Sequence, residues 1–325
     1  MSKIIFGKLV RGKKFLVTGG AGFVGSHMID LIIKKGGTVI CLDNLSTGKM
    51  DNIKHLVGSS NFSFFNVDVN NLSKIEKIFK DAMPDYVMHY AAMVGVERTS
   101  LDPLGVFDDI DGIKNIAKLS QKYGAKKILF ASSSEVYGEP IKMPMSEYDR
   151  YQSQWPYGLV KIFAEVYLIA FSKKFNIPVV IPRFFNVYGP RQDDSQFGFV
   201  VPIFLNNALG GGEMGVFGDG SQTRNFVYVD DNVRLCLEAF FTEEANGRPM
   251  NIGSGKSVKI IDLAKTIKKI IKEAKIAHKP LRIDGEIIYR VPDVTFMKKA
   301  LNDWPKIELE EGLKKTIIYL KKKNK

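Results

Sequence analysis

Tyr157 and Lys161, four residues apart in the stretch YGLVK, are the side chains best suited to chemistry in this sequence. Residues four apart on a helix lie on the same face, so a helix here would hold the phenol beside the ammonium. Free tyrosine has a pKa of about 10, and action as a base near neutrality needs roughly 4 kcal/mol of extra stabilisation of the phenolate. A desolvated lysine on the same face would contribute to it. The pair therefore predicts proton abstraction, although the spacing alone also fits a core tyrosine beside a surface lysine.

Three consecutive hydroxyl groups, Ser132, Ser133 and Ser134 in LFASSSEVYG, strengthen that interpretation. They follow the apolar run KKILFA, which is typical of a buried strand. The carboxyl ends of parallel strands meet at one edge of a sheet, and open α/β sheets bind their ligands there. We therefore expect the serines to face the same ligand as the phenol of Tyr157.

A glycine-rich turn, VTGGAGFVGS, joins a predicted strand to a predicted helix and carries Gly19, Gly22 and Gly25. Such glycines let the backbone approach a pyrophosphate, while the helix N-terminus supplies N–H donors and positive potential. Asp43 follows roughly 20 residues later, at the end of TVICLD. A carboxylate there would bond ribose hydroxyls and repel a 2′-phosphate, so the pattern predicts NAD rather than NADP. Without a ligand, the glycines would form only a tight turn and Asp43 a strand-end cap.

Short apolar runs alternate with amphipathic helical segments from residue 13 to about residue 190. This rhythm is typical of βαβ units and predicts an α/β fold, a Rossmann-type doubly wound parallel sheet with helices on both faces. After residue 190 the pattern becomes less regular. We expect an NAD-binding domain with the catalytic residues over 1–188. Residues 189–325 would form mainly a smaller substrate-binding lobe, with some segments returning to the first domain.

Composition excludes several classes of protein. The 325 residues include 45% hydrophobic and 25% charged residues, no apolar run long enough to cross a membrane, and no signal-peptide pattern at the N-terminus, so we expect a cytoplasmic protein without membrane contact. Cys41 and Cys236 lie in apolar stretches and predict buried thiols. The net charge of +12 comes from dispersed lysines without interleaved aromatic residues. This pattern favours a solvated, lysine-rich surface over nucleic-acid binding, and the positive field would also suit a phosphate-bearing small substrate.

The ordered set of motifs resembles the extended short-chain dehydrogenase/reductase superfamily, in its NAD-dependent nucleotide-sugar epimerase, dehydratase and decarboxylase branch. The matching stretches are TGGAGFVG, HYAAMVGV, SSSEVYG, YGLVK, RFFNVYGPRQ and GDGSQTRNFVYVDD, which span about residues 13–300. The resemblance implies that Tyr157 takes the proton from a sugar hydroxyl, usually at C4, as hydride passes to NAD. It implies that Ser133 bonds the same oxygen and that Lys161 holds the ribose and lowers the pKa of Tyr157. No metal is implied.

The resemblance also implies binding residues. For NAD they are Gly19, Gly22, Phe23, Val24, Gly25, Asp43, Asn44, Asp68, Val69, Ala91 and Ala92, together with Tyr157 and Lys161. For the diphosphate of a nucleotide sugar they are Asn186 and Arg224, and an arginine fork suits phosphate oxygens. Weaker substrate candidates are Ser134, Arg191, Val201 and Arg290. Taken alone, Asn186 also fits a turn residue, and the arginines also fit surface ion pairs.

The reaction that follows oxidation at C4 depends on the residues after Ser133. The related dehydratases carry an Asp-Glu pair here, whereas this chain has Ser134 and Glu135, which argues against a 4,6-dehydratase. The Ser134-Glu135 pair resembles the one in UDP-glucuronate decarboxylases, yet Glu135 also occurs in epimerase-like relatives. The loop GPRQDDSQFGFVVPIF resembles that of UDP-hexose 4-epimerases. We expect a 4-epimerase. A dehydrogenase that releases the 4-keto sugar, a UDP-glucuronate decarboxylase, a 4,6-dehydratase, and a non-catalytic NAD-binding sensor or scaffold stay open. Glu135 is counted with Ser133, Tyr157 and Lys161 as a catalytic candidate, and a surface acid is the alternative interpretation of it.

Two further expectations concern helices. Where the family usually has an asparagine before the serine strand, this chain has Asp109, in DIDGI, and an acid near the nicotinamide could alter cofactor affinity or substrate choice. The segment LGVFDDIDGIKNIAKLSQKYG and the helix beginning at Tyr157 are apolar around much of their circumference. The resemblance implies a homodimer through a four-helix bundle of these helices, and deep burial within one subunit is the alternative.

Overall fold

The computed structural model describes residues 3–193, 199–280 and 289–323. Within these ranges the α-helices are α1 (Lys3–Val10), α2 (Phe23–Lys34), α3 (Leu72–Ala82), α4 (Val96–Leu101), α5 (Asp109–Lys122), α6 (Pro156–Phe175), α7 (Val200–Leu209), α8 (Val229–Phe240), α9 (Ile260–Ile270), α10 (Thr295–Leu301) and α11 (Leu309–Lys323). Short 3-10 helices lie at Met50–Asn52, Lys54–Leu56, Gly105–Asp108, Ser134–Tyr137 and Glu243–Ala245.

The strands are short, as the sequence runs predict. They are β1 (Lys14–Thr18), β2 (Thr38–Asp43), β3 (Phe62–Asn66), β4 (Tyr86–His89), β5 (Lys127–Phe130), β6 (Ser132–Ser133), β7 (Val179–Phe184), β8 (Val187–Tyr188), β9 (Glu213–Phe217), β10 (Thr223–Arg224), β11 (Val227–Tyr228), β12 (Pro249–Ile252), β13 (Val258–Lys259) and β14 (Lys275–Lys279).

The main sheet has the strand order β12-β7-β5-β4-β1-β2-β3, with the short β6 beside β7, and the neighbouring strands pair in parallel. Its strands are apolar on both faces because helices cover both sides. In β1, Phe15 and Val17 enter the core against α2 and α8, while Leu16 enters the core against α3, α5 and α6. The predicted α/β fold with a Rossmann-type parallel sheet is confirmed.

The strand order reverses between β1 and β4, because the chain builds outward from β1 in one direction and from β4 in the other. This reversal leaves a crevice beyond the carboxyl ends of the two strands, where doubly wound sheets bind their ligands. The glycine-rich turn follows β1, and Ala91 and Ala92 follow β4. The fold therefore brings both segments to one crevice.

After residue 188 the chain forms smaller strand pairs, which are parallel in β8 with β11 and in β9 with β14, and antiparallel in β10 with β13. It also returns to the main sheet, where β12 pairs with β7. The domain boundary at residue 188 stays a prediction. Part of the loop GPRQDDSQFGFVVPIF, residues 194–198, lies outside the described residues, and so do residues 281–288.

Two features of the composition take a definite place in the fold. Cys41 and Cys236 are buried and free, as predicted. Across residues 3–193, 199–280 and 289–323, no helix combines the length and the apolar character that spanning a bilayer requires.

Candidate active site

The glycine-rich turn is packed so closely that side chains have no room in it. Gly19 has a φ of +65°, and a Cβ on it would lie 2.6 Å from the backbone nitrogen of Ala91. A Cβ on Gly25 would lie 2.2 Å from the carbonyl oxygen of Gly19. Gly22 caps α2 without a side-chain hydrogen bond, so no capping side chain occupies the N–H groups of the first turn, which begins with Phe23 and Val24. This cradle fits a pyrophosphate at the positive end of a helix.

Carboxylates at the ends of β2 and β3 border the same turn. Asp43 Oδ2 accepts a hydrogen bond from the Ala21 N–H at 2.9 Å, and Oδ1 accepts one from Leu45 at 2.8 Å. Asp43 is buried, and burial raises the pKa of its carboxyl group. The Asn44 amide donates to Asp68 Oδ2 at 2.9 Å. Asp43 thus shapes the glycine turn directly, a contact that the spacing rule does not reveal.

The end of β4 supplies the other wall of this crevice. The Ala91 N–H donates to Thr18 Oγ1 at 3.2 Å, and Thr18 Oγ1 lies 2.7 Å from His89 Nδ1. Burial and the nearby ammonium of Lys161 lower the pKa of His89 to about 3, so the imidazole is neutral. Sequence analysis did not select Thr18 or His89, although His89 stands in the quoted stretch HYAAMVGV.

Asp109 and Val69 lie where α5 contacts the segments that follow β4 and β3. The Met93 N–H donates to Asp109 Oδ2 at 2.9 Å, which ties the start of α5 to the segment after β4. Burial raises the pKa of Asp109, while Lys161 and the Met93 N–H oppose that change. Val69 packs against Gly112 of α5, where a Cβ would lie 2.7 Å from the Val69 side chain. The acid at position 109 therefore lies in the electrostatic field of Lys161.

The structure brings together the residues of the predicted Ser/Tyr/Lys site. Ser133 ends β6 and accepts a hydrogen bond from the Glu135 N–H at 3.2 Å. Tyr157 lies in the first turn of α6, and the Ser133 side chain is close enough to lower the pKa of its phenol. Lys161, one turn later, is 4% exposed and donates from Nζ to the Ala131 carbonyl at 2.9 Å. Its Nζ lies 4.7 Å from the centre of the Phe130 ring.

The lowering of the Tyr157 pKa by Lys161 stays a prediction, and burial of the phenol acts in the opposite direction. Burial raises this pKa well above its ordinary value, Glu135 and Asp109 add to the increase, and the hydrogen bond with Ser133 opposes it. Burial also lowers the pKa of Lys161 to about 8, although Asp109 and Glu165 raise it. The phenol therefore carries its proton in the resting state. Sequence analysis could see which residues are paired, but it could not see the desolvation that outweighs the pairing.

The comparisons with known proteins agree with this geometry. Residues 15–253 match the model of the NAD dependent epimerase/dehydratase family. The chain belongs to this family. A UDP-N-acetyl-α-D-glucosaminuronate decarboxylase of Bacillus cytotoxicus is 35% identical over 322 residues, which cover 95% of this chain and 98% of that protein.

Solved structures of epimerases are also similar to this member of the NAD-dependent epimerase/dehydratase family. The UDP-glucose 4-epimerase of Thermotoga maritima with UDP-glucose is 37% identical, with a TM-score of 0.90 and coverage of 96% of this chain and 100% of that chain. The UDP-glucuronic acid 4-epimerase of Bacillus cereus, in complex with UDP-glucuronic acid and NAD, is 31% identical, with a TM-score of 0.86 and coverage of 95% and 99%. The protein is an NAD-dependent enzyme, and its glycine cradle fits that cofactor.

The substrate candidates of this family member fall into two groups. Arg290 lies beside the catalytic serines, because its Nη1 and Nη2 donate to the two carboxylate oxygens of Glu135 at 2.7 and 2.9 Å. Its Nη1 also lies 3.4 Å from Ser134 Oγ. The Asn186 side-chain amide donates to the Asn225 carbonyl at 3.2 Å. Arg224 Nη1 donates to the Thr223 carbonyl at 2.9 Å.

The second group makes contacts that do not point to a substrate. Arg191 Nη2 lies 2.7 Å from Asp30 Oδ2 on α2, and the Arg191 backbone has a φ of +67°. Val201 is 2% exposed, and its side chain packs in the apolar core. Substrate roles for Arg191 and Val201 stay predictions. The ion pair with Asp30 engages Nη2 of Arg191, while its buried Nη1 has no hydrogen-bond partner among the described residues.

We predict that Gly25→Ala weakens NAD binding by about tenfold or more. The added Cβ would lie 2.2 Å from the Gly19 carbonyl oxygen, so the turn or α2 must shift. Isothermal titration with NAD measures the effect. The matched control is Gly7→Ala in α1, where a Cβ meets nothing within 4 Å. An unchanged NAD affinity for Gly25→Ala would contradict a close pyrophosphate at this turn.

We predict a pH-dependent difference in stability between the native protein and Lys161→Met. Because Lys161 has a pKa of about 8 when folded and 10.5 when unfolded, the folded chain binds fewer protons between these values. The free energy of unfolding of the native protein should therefore rise relative to Lys161→Met from pH 8 to 10.5, by up to about 3 kcal/mol. Urea denaturation at a series of pH values tests this. Lys272→Met is the exposed control, and parallel curves for Lys161→Met would refute the buried ammonium.

Proposed function

We propose that the protein is a 4-epimerase that oxidises the sugar of a nucleotide-diphosphate sugar at C4 and then reduces it from the opposite face. The observation that carries this proposal is that Tyr157 lies beside the Ser133 side chain, with the buried Lys161 one turn further along the same face of α6 and its Nζ 5.4 Å from the centre of the Tyr157 ring. NAD accepts the C4 hydride and gives it back. The protein residues must move the hydroxyl proton and hold the developing charge.

Tyr157 is the proton acceptor in this proposal. The Ser133 hydroxyl lowers the pKa of Tyr157, which means that its hydrogen bond stabilises the phenolate more than the phenol. The ammonium of Lys161 lies 5.4 Å from the centre of the Tyr157 ring and adds positive potential. Since burial raises the pKa of Tyr157, its own proton must first leave to solvent, and only the phenolate can then take the C4 hydroxyl proton. The ammonium of Lys161, together with the positive charge that oxidised NAD would bring, would favour that loss.

Glu135 and Ser134 support epimerisation over dehydration. Dehydration needs an acid for the C6 hydroxyl and a base for the C5 proton. Position 134 carries a buried serine instead of an acid, and the two carboxylate oxygens of Glu135 are both occupied by the guanidinium of Arg290. While this ion pair is intact, Glu135 is not free to remove a C5 proton, so the 4-keto sugar is left to turn over and take the hydride back.

A second candidate function, decarboxylation of a nucleotide-linked uronic acid, is favoured by Arg290 itself. An arginine fork suits a carboxylate, and this one lies beside Ser134. Glu135 occupies the fork in the structure, so a substrate carboxylate would have to replace it there. In a uronic acid oxidised at C4, the ketone is β to the carboxylate, so carbon dioxide can leave with its electrons delocalised into the carbonyl. The similarity to a glucosaminuronate decarboxylase supports the same substrate class.

Product masses separate the two candidates. We expect purified protein with NAD to convert UDP-glucose, UDP-N-acetylglucosamine or their uronic acids into a product of unchanged mass whose sugar, after hydrolysis, is the C4 epimer. Loss of about 44 mass units, which is the mass of carbon dioxide, would favour the decarboxylase instead. Loss of water or of two hydrogens would indicate dehydration or release of the keto sugar. Tyr157→Phe is the negative control and should abolish every conversion while NAD binding persists.

We also propose that the protein is a homodimer. Helix α6 carries an outward apolar stripe of four residues, which are spaced four, three and four apart. Leu159 and Val166 of this stripe are 41% and 54% exposed. The others are Phe163 and Ala170. Phe107, just before α5, is 39% exposed. A second copy that packs α5 and α6 against their equivalents would cover this stripe, in agreement with the predicted four-helix bundle.

We predict that Val166→Arg converts the dimer to a monomer, because a charged side chain would be buried at the centre of the bundle. Sedimentation velocity measures the mass of the assembly. The control is Val57→Arg, which places the same charge at a residue that is 60% exposed and lies away from α6. A native protein that sediments as a monomer, or a Val166→Arg variant that stays dimeric, would remove α6 as the interface.

A further inference from the structure

A buried ion pair lies one turn beyond Lys161, on the face of α6 that carries Tyr157 and Lys161. Glu165 follows Lys161 by one turn and is 0% exposed, while Arg183 of β7 is 1% exposed. The guanidinium grips the carboxylate with two hydrogen bonds, from Nε at 3.0 Å and from Nη2 at 2.7 Å. The hydroxyls of Ser132 and Tyr151 donate to the same carboxylate. Glu165 therefore ties α6 to the strand that ends in Ser133.

The third nitrogen of the Arg183 guanidinium, Nη1, begins a series of hydrogen bonds that ends at β12, the edge strand of the sheet. Arg183 Nη1 donates to the Tyr137 hydroxyl at 2.8 Å. Because that hydroxyl accepts from a guanidinium, its single hydrogen is available for one other partner, which is Asn251 Oδ1 on β12 at 2.6 Å. This polarity fixes the orientation of the Asn251 amide, since its oxygen must face the tyrosine and its NH2 group must face away.

The NH2 group of Asn251 joins two chain segments, one at Met145 and one at Asp293. The second segment also contains Arg290, which lies beside the serines. Asn251 Nδ2 donates to the carbonyls of Met145 and Asp293, each at 3.0 Å. The same two segments also bond each other, from the Met145 N–H to the Val291 carbonyl at 2.8 Å and from the Asp293 N–H to the Met145 carbonyl at 2.7 Å. Arg290 precedes this clasp by one residue.

We propose that the chain Glu165–Arg183–Tyr137–Asn251 is a positioning element that sets the place of Arg290 relative to Ser133 and Tyr157. The element determines how the substituent at C5 of the sugar is received, so this inference rests on the proposed function. It acts through Arg290, and its members have no role in proton or hydride transfer. The sequence gives no hint of it, because its four members are far apart along the chain.

The physical basis is the cost of leaving a buried polar group without a partner. Loss of the Tyr137 hydroxyl would orphan one N–H of Arg183 and the oxygen of Asn251 in the protein interior. The Asn251 amide could then rotate, which would replace a donor by an acceptor in front of the Met145 and Asp293 carbonyls. The clasp that holds Arg290 would loosen, while the glycine cradle, which lies elsewhere in the crevice, would keep its geometry.

Hydrogen exchange tests the positioning element without any need for turnover. In Tyr137→Phe, the amides of Met145 and Asp293 should exchange about tenfold or more faster than in the native protein. The matched control is Tyr188→Phe, which removes another buried tyrosine hydroxyl that donates outside the element, to the Leu309 carbonyl at 3.2 Å. Native exchange rates at Met145 and Asp293 in Tyr137→Phe would overturn the proposal, whether or not the protein converts a nucleotide sugar.

A double-mutant cycle tests whether the element acts through Arg290. We expect Tyr137→Phe to raise the KM for the accepted nucleotide sugar about tenfold, with NAD affinity unchanged, and to have little further effect in an Arg290→Gln background. A purely structural role would instead reduce kcat/KM by the same factor in both backgrounds, and that result would overturn the proposal. If the native protein converts no nucleotide sugar, the proposed function fails, and binding of UDP-glucuronic acid by titration replaces KM in the same cycle.

Discussion

The buried ammonium of Lys161 is the charge on which the active site depends. Burial in an apolar environment disfavours the charged form, and this effect lowers its pKa to about 8. The protein offsets the cost with the Ala131 carbonyl, the faces of the Phe130 and Tyr157 rings, and the carboxylates of Asp109 and Glu165. Without these partners, the lysine would be neutral near neutrality and would add no positive potential beside the phenol.

Helix α6 positions the Lys161 ammonium, because three side chains on one face of the helix make contacts in the site. Tyr157, Lys161 and Glu165 are spaced four apart and therefore project in the same direction. The first meets Ser133, the second meets the end of β5, and the third meets Arg183 and the strand segment before Ser133. The proposed proton acceptor, the buried ammonium beside it and the contact that aligns the helix with the sheet therefore lie on consecutive turns of one helix.

The sequence predicts much of this site because its functional residues lie in local motifs. Gly19 and Gly25 follow a strand and open a helix, so their spacing alone indicates the cradle that the structure contains. Arg183 shows the limit of that reasoning. Its partners depend on the register in which β6 and β7 pair, with Ser132 opposite Arg183, and on β12 joining the same sheet after a long excursion. Such contacts exist only once the topology is fixed, and spacing along the chain does not encode them.

Asp109 shows how tertiary structure can change the meaning of a single substitution. At the sequence level it is an acid where related proteins usually have an amide. In the structure its carboxylate accepts from the Met93 N–H, raises the pKa of Lys161 and also raises the pKa of Tyr157. These effects oppose each other, since one keeps the cation charged and the other penalises the phenolate. Because the pKa of Lys161 is about 8 and that of Tyr157 lies well above its ordinary value, the cation is largely present near neutrality, and the phenolate is the charge that Asp109 makes harder to form.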